Sequence, residues 1–213
     1  MKKIFEPESP FAKGFTTFVD ILILGVLWIF TSIPIFTIGA SSAAMYYAIH
    51  KTIFQGRGYA YKEYFRGFKD NFKQGSLVTL ILLAFNGVMF YFLRLTTEMM
   101  PDRPISWNFV FVIFMAFSII WGMMFFAFMS RFSNTLKANV KNASLILVAN
   151  IPVALGGFLV FMLFCLIGGY ITKLAIILPG FLGVILHQLY ERVFRKYMSE
   201  EDRALEDERA GKK

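Results

Sequence analysis

Several stretches of about 20 consecutive, mostly apolar residues are the feature that most constrains the fold of this chain. A helix of about 20 residues spans the hydrocarbon core of a bilayer. Apolar residues make up 57% of the 213 residues and charged residues 17%, whereas a soluble domain is about 45–50% apolar and about a quarter charged. Because a soluble chain of this length could not bury so much apolar surface, we predict an all-α, polytopic transmembrane helical bundle.

Six apolar segments predict a single transmembrane domain over residues 1–198, followed by a charged cytoplasmic tail over residues 199–213, exposed or frayed. The predicted spans are residues 15–33, 39–55, 76–95, 107–129, 144–168 and 174–190. The second span is short, and an interfacial amphipathic helix is its alternative. Its small residues Ala40, Ala44 and Ala48 recur every four positions and predict close packing against the first helix. Asn150 and Pro152 predict a kink or an interruption in the fifth span.

The positions of the basic residues predict the orientation. With six spans and a cytoplasmic N-terminus, 19 of the 22 Lys and Arg residues fall on the cytoplasmic side, as the positive-inside rule requires. Residues 56–73 are predicted to form a cytoplasmic loop, whose basic and aromatic residues could also indicate single-stranded nucleic-acid binding. Next to a span, the same pattern is typical of a headgroup-level belt, so we expect lipid contact and no nucleic-acid partner.

Ionisable residues near the predicted inner membrane face are the candidate functional residues, because charge in lipid is costly. They are Asp20, His50, Lys51 and His187, with Glu191 one turn after His187. We expect Asp20 to pair with Lys51 or His50, and His187 to join them. The functional interpretation is a polar cluster at the inner mouth of a pathway. The structural alternative is an ion pair that fixes packing while Lys51 extends to the interface.

A turn between the first two spans is a second candidate feature. Pro34 ends the first helix, and Thr37 or Ser41 is expected to cap the next one, which begins near Gly39. The free N–H groups at this helix start could also hold an anionic ligand. Asn86 and Asn150 are expected to form hydrogen bonds between helices.

Two segments of the sequence are similar to each other, and both precede a predicted span that enters from the cytoplasm. They are residues 69–77 and 137–145. They indicate either a parallel internal repeat, as in some transporters, or two membrane-entry segments of similar composition.

The sequence contains no phosphate-binding loop, no dinucleotide fingerprint, and no zinc-protease or nucleophile-elbow motif. The two histidines are far apart along the chain, and Cys165 is the single cysteine. We therefore expect no enzyme activity, no catalytic residues, no metal site and no cofactor.

The first 75 residues or so resemble the YesL-like family, bacterial membrane proteins of unknown function. The resemblance is carried by residues 20–47, with Trp28, Pro34, Thr37 and Gly39, and by residues 64–73. It implies a plasma-membrane protein of a Gram-positive bacterium, from a family whose genes often lie next to genes for carbohydrate transporters. It implies no catalytic residues.

Two functional hypotheses follow. The first is a non-enzymatic accessory or regulatory protein linked to carbohydrate uptake, whose partner is a sugar ABC-transporter permease or another membrane protein. The second is a small secondary transporter or channel that acts as a homo-oligomer.

Overall fold

The computed structural model describes residues 10–100, 104, 106–132, 134–171 and 176–211, and these residues form eight α-helices and no strand. The helices are α1 (Pro10–Ser32), α2 (Ile38–Ala48), α3 (Ala60–Met99), α4 (Ser106–Arg131), α5 (Leu136–Ala149), α6 (Ile151–Tyr170), α7 (Leu178–Tyr197) and α8 (Glu200–Arg209). The prediction of an all-α chain is confirmed.

Four of the described helices are long and apolar enough to cross a membrane. They are Phe11–Ser32 in α1, α3, Trp107–Arg131 in α4, and α6. In the most apolar 18-residue stretch of each helix, only 11% to 33% of the residues are buried inside the protein. Most of this apolar surface must therefore be covered by lipid. The chain therefore has the helices of a membrane protein. The predicted spans 39–55 and 174–190 correspond to helices outside this group, and the count of six stays a prediction.

Helix α3 begins much earlier than the predicted span 76–95. The basic segment 56–73, interpreted from the sequence as a loop, is helical from Ala60 onward. Gly56 and Gly58 have positive φ values of 64° and 79° and turn the chain before the helix. The interpretation as a loop was wrong because charged residues also suit the exposed face of a helix that continues out of the membrane.

Helix α2 is short, and it lies against the first half of α3. Its 11 residues continue into a π-helical turn, Ile49–Phe54. A Cβ on Gly75 would lie 2.7 Å from the backbone nitrogen of Ala40, and one on Gly67 would lie 3.2 Å from the Cα of Ala44. The small-residue face of α2 thus packs chiefly on α3, not on α1 as predicted, because the glycines of α3 allow the closer approach.

The fifth predicted span is divided, as Asn150 and Pro152 indicate. Helix α5 ends at Ala149 and α6 begins at Ile151. Asn150 has non-helical backbone angles (φ −133°, ψ 40°). Its side-chain Nδ2 donates to the carbonyl of Ile146 and to the Tyr197 hydroxyl, both at 2.9 Å. The predicted interruption is confirmed, and Asn150 joins the break to the end of α7.

The charged tail contains an ordered helix. The Ser199 hydroxyl accepts a hydrogen bond from the backbone N–H of Asp202 at 3.1 Å and caps α8. Arg195 of α7 donates to Asp207 at 2.8 Å. The tail is therefore helical and not frayed over Glu200–Arg209, although most of its residues are exposed, as expected.

The two similar segments are both helical and contact each other. The segment 69–77 lies inside α3, and 137–145 lies in α5. The Asn139 Nδ2 donates to Gln74 Oε1 at 3.0 Å. Their origin as a repeat stays a prediction.

Candidate functional site

A group of five polar side chains lies where α4, α7, α8 and the π-helical turn meet. It consists of His50, Arg131, His187, Glu191 and Glu206, called here the histidine cluster. All five are at least partly buried: His187 is 4% exposed, and the side chains of the other four are between 10% and 15% exposed. Four helical elements are therefore joined at one end of the bundle by a shared group of polar side chains.

Local sequence explains how each residue reaches the cluster. His187 and Glu191 are four positions apart on α7 and so share one face of the helix. Arg131 is the last residue of α4. His50 lies in the π-helical turn, where the backbone N–H of Gln55 donates to the His50 carbonyl at 3.1 Å. A π-helical turn changes the direction in which side chains project and is common at functional sites.

The two histidine rings are in direct contact. His50 Nδ1 lies 3.1 Å from His187 Nε2, so one ring donates and the other accepts. The ring of Phe54 stacks on His187 with a centroid distance of 4.7 Å and an interplanar angle of 15°. These contacts hold the two imidazoles in one place although the residues are 137 positions apart.

Arg131 links the two carboxylates of the cluster. Its Nε and Nη2 donate to the two oxygens of Glu191, both at 2.9 Å, and Nη2 also donates to Glu206 Oε1 at 2.6 Å. A bidentate pair of this kind is among the stronger polar interactions in proteins. It joins α4 to α7, and through Glu206 it holds α8 against both.

Glu206 stays ionised because of these neighbours. Burial by itself raises the pKa of its carboxyl group, but the nearby His50 ring, whose Nε2 lies 3.6 Å from Oε1, and the charge of Arg131 outweigh burial and lower the pKa to about 2. The ionised form of Glu206 therefore stabilises the docked position of α8, together with the pair between Arg195 and Asp207.

Lys51 and Asp20 do not join this cluster. Lys51 Nζ donates to Glu63 at 2.8 Å and to the Tyr47 hydroxyl at 3.1 Å. Among the residues that the structure describes, Asp20 makes no ion pair and no side-chain hydrogen bond. Of the expected contacts, the fold forms the one between His50 and His187. It lacks the pairing of Asp20 with Lys51 or His50, because Glu63 on the unpredicted first turn of α3 is nearer to Lys51.

The turn between α1 and α2 is fixed by hydrogen bonds within the protein. The Thr37 hydroxyl lies 2.5 Å from the carbonyl of Thr31 and 2.6 Å from that of Pro34. The backbone N–H of Gly39 donates to the Thr79 hydroxyl at 3.0 Å. Thr37 occupies the N-cap position of α2, but the expected side-chain cap is absent, because its hydroxyl bonds back to α1. The hydroxyl of Ser41, the alternative cap, has no hydrogen-bond partner among the described residues. One N–H group that an anion would need is occupied by Thr79.

A second polar contact lies deeper in the bundle. Asn86 Nδ2 of α3 donates to the Ser118 hydroxyl of α4 at 2.8 Å, which confirms the expected hydrogen bond between helices. Both residues line a largely apolar cavity of about 360 Å³, together with Trp28, Phe126 and Leu182.

Sequence reasoning missed three members of these networks. Arg131 was assigned from the sequence to a basic stretch on the cytoplasmic side of a span, and Glu206 to an exposed or frayed tail. Glu63 carried a usable signal, since it is the only acidic residue between positions 51 and 69.

Comparison with known families places a match in the first part of the chain. Residues 21–92, about a third of the sequence, match a family model described as "Protein of unknown function, DUF624". This family is the YesL-like family. No curated protein and no solved structure matches the chain. The matched segment includes His50, Lys51 and the turn at Pro34, and it ends long before His187.

Proposed function

We propose that the protein is a non-enzymatic accessory or regulatory component of the bacterial plasma membrane, linked to carbohydrate uptake. The observation that carries this proposal is a surface on the first half of α3. Lys62, Arg66, Lys69 and Lys73 are all exposed, and their spacing of four, three and four residues places them on one face of the helix. This group is called here the basic stripe.

Exposed aromatic rings accompany the basic stripe. Tyr61, Phe65 and Phe72 are 47%, 51% and 38% exposed. Cations beside exposed rings, at the base of a membrane helix, suit acidic groups on a neighbouring membrane protein or anionic lipid headgroups. Because the stripe continues directly into an apolar helix, we propose a membrane partner and not a nucleic acid.

We propose an orientation in which the N-terminus, the basic stripe and α8 face the cytoplasm, with six membrane segments of which the second is short. The ion pairs support it. Lys51 with Glu63, and Arg131 with Glu191, join the ends of helices that the positive-inside rule assigns to the same side.

The carbohydrate link comes from the YesL-like resemblance. It suggests that the partner is a sugar ABC-transporter permease or another protein of the same uptake system. We propose no cofactor for this role, since holding a partner requires neither redox nor group-transfer chemistry.

Co-purification tests the proposal. The full chain is expressed in its bacterial host with a C-terminal tag, crosslinked in intact cells and purified. We expect a sugar permease to be enriched with the wild type and lost with a variant carrying Lys62→Glu, Arg66→Glu, Lys69→Glu and Lys73→Glu. A matched control carries Arg94→Glu, since Arg94 lies on the same helix outside the stripe. Equal recovery of the permease with all three proteins, or with none, would contradict the proposal.

A second candidate function is a small transporter or channel that acts as a homo-oligomer. The cavity of about 360 Å³ favours it, because it lies among α2, α3, α4, α6 and α7 and also includes Met45 and Leu186, close in sequence to the histidine cluster. Solute uptake into liposomes that contain the purified protein tests this candidate. Uptake that His50→Gln abolishes would support it, and no uptake of any tested sugar or ion would count against it.

A further inference from the structure

We propose that His50, His187 and Glu191 form a binding site for one first-row divalent transition-metal ion, for which Zn²⁺ is the probe. The site does not depend on the accessory role proposed above. Sequence reasoning expected no metal site because the two histidines are far apart along the chain, and the fold removes that separation.

The ligand atoms lie close enough to share one ion. One ligand atom from each of the three residues can be chosen so that all lie within 4.8 Å of one another. The two imidazole nitrogens are 3.1 Å apart, and His50 Nδ1 is 3.9 Å from Glu191 Oε2. Tetrahedral zinc with Zn–N distances of about 2.0–2.1 Å places its ligand atoms about 3.3 Å apart. The two imidazole nitrogens are already within a few tenths of an ångström of this separation, whereas the Glu191 carboxylate must move inward, by about 0.6 Å relative to His50 Nδ1.

The donor set selects the class of metal. Two imidazoles and one carboxylate are the ligands of many catalytic zinc sites, which keep a fourth position for water or another ligand. The same set also suits other first-row ions such as Co²⁺ and Fe²⁺. Mg²⁺ and Ca²⁺ prefer oxygen ligands alone, so they should not compete.

Ligation through Nδ1 of His50 requires the ring proton to sit on the other nitrogen, Nε2. That nitrogen lies 2.9 Å from the amide nitrogen of Gln55 and 3.6 Å from Glu206 Oε1, and turning the Gln55 amide by about 180° would present its carbonyl oxygen as the acceptor. Metal-binding histidines usually donate their second N–H to a carboxylate or carbonyl group, which fixes the tautomer and the orientation of the ring.

The local charge balance also allows a divalent cation. Glu191 and Glu206 carry two negative charges, and Arg131 compensates one of them. Of the other charged residues that line the cavity, Arg195 is paired with Asp207 and Arg192 is exposed to solvent. Arg131 occupies both oxygens of Glu191, but each carboxylate oxygen can accept more than one interaction. Arg131 also contacts Glu206 at 2.6 Å, so it keeps a partner if the metal draws Glu191 inward.

An entry path lies beside the ligands. A partly open cavity of about 280 Å³ is lined by all three of them, together with Gln188 and Glu206. An ion bound here would fasten the π-helical turn to α7 and would stabilise the folded protein by binding it selectively.

Zinc titration of the full chain, purified in detergent with a tag that contains no histidine, tests the site. The chain has two histidines and one cysteine. The Cys165→Ser substitution removes the thiol, so the two histidine imidazoles remain as the preferred zinc ligands. We expect one Zn²⁺ per chain by elemental analysis. Affinity should fall more than about tenfold in each of His50→Gln, His187→Asn and Glu191→Gln.

Gln188→Ala is the matched control, since Gln188 lines the same cavity between two of the ligands and should leave zinc affinity unchanged. X-ray absorption on the zinc-loaded wild type should show two imidazoles in the first coordination shell, and it decides the matter even if the variants misfold. The proposal is overturned if the wild type binds no zinc at micromolar concentration. It is also overturned if the bound ion has no imidazole ligand, or if both folded histidine variants bind as the wild type does.

Discussion

The histidine cluster and the apolar middle of the bundle hold helices together in different ways. In the cluster, His50, Arg131 and Glu191 connect different elements through hydrogen bonds and an ion pair. In the middle, α1 and α7 meet through glycines: a Cβ on Gly25 would lie 3.0 Å from the backbone nitrogen of Gly180. The helix contacts in the histidine cluster depend on charge, and those in the middle of the bundle depend on close packing.

The difference follows from what surrounds each region. In lipid there is no hydrophobic drive between helices, so close backbone approach supplies the attraction. At the end of the bundle, water and neighbouring charges reduce the free-energy cost of burying ions, so ion pairs can stabilise the fold there. Each of the following substitutions challenges one side of this comparison.

The largest expected effect is that of Arg131→Gln. It leaves Glu191 and Glu206 without their shared cation, and breaking a buried pair costs about 3–5 kcal/mol. Because the side chains are 10–15% exposed, we expect a loss near the lower limit, measured as the free energy of unfolding in detergent. Arg94→Gln is the control, since its pair with Glu98 is 67–69% exposed and should contribute at most about 1 kcal/mol. Equal losses would mean that burial does not distinguish the two pairs.

Gly180→Ala tests the close packing of α1 against α7. The added Cβ would collide with the carbonyl oxygen of Ile21, and overpacking of this kind costs about 1–3 kcal/mol. Gly156→Ala on α6 meets nothing within 4 Å and should be neutral or stabilising by about 0.5–1 kcal/mol. Thermal unfolding of both variants in the same detergent measures the difference, and a neutral Gly180→Ala would refute the tight contact.

Asn86→Leu tests whether a hydrogen bond in the middle of the bundle adds to the stability that close packing provides. We expect a loss of about 0.6–2 kcal/mol in the free energy of unfolding. A double-mutant cycle with Ser118→Ala isolates the hydrogen bond from changes in packing. A coupling energy of zero would show that the Asn86–Ser118 contact contributes nothing to stability.

The smallest effect at neutral pH, and a growing one in acid, is expected for the docking of α8. The pKa of Glu206 is about 2 in the folded protein against an ordinary value of 4.5. Its contribution is therefore fully present above pH 4.5 and is lost as the pH falls from 4.5 toward 2. Hydrogen exchange of α8, corrected for the intrinsic rate, should accelerate over that range. Glu206→Gln should remove the pH dependence, and a profile that Glu206→Gln does not alter would assign it to another group.

The sequence predicts the apolar helices well because length and hydropathy are local properties. The span 107–129 corresponds to Ser106–Arg131, and the break at Asn150 follows from a single proline and its neighbours. The start of α3 and the existence of α8 were missed because their residues are charged. A charged segment folds or frays according to partners elsewhere in the fold, and Arg131 and Glu206 are 75 positions apart.

The candidate site was predictable in part. His50 and His187 stood out as ionisable residues near predicted helix ends, and the fold brings them into contact. Their actual partners could not be inferred, since they depend on which helices are neighbours. Lys51 illustrates this, because it pairs with Glu63 on a helical turn that sequence reasoning had interpreted as a loop.

The continuity of α3 has a mechanical consequence. A helix of 40 residues is about 60 Å long, and its two ends cannot move independently without bending it. Its far end and the base that carries Lys62 and Lys73 therefore behave as opposite arms of one rigid rod. A tilt imposed on one arm therefore displaces the other without any change in secondary structure.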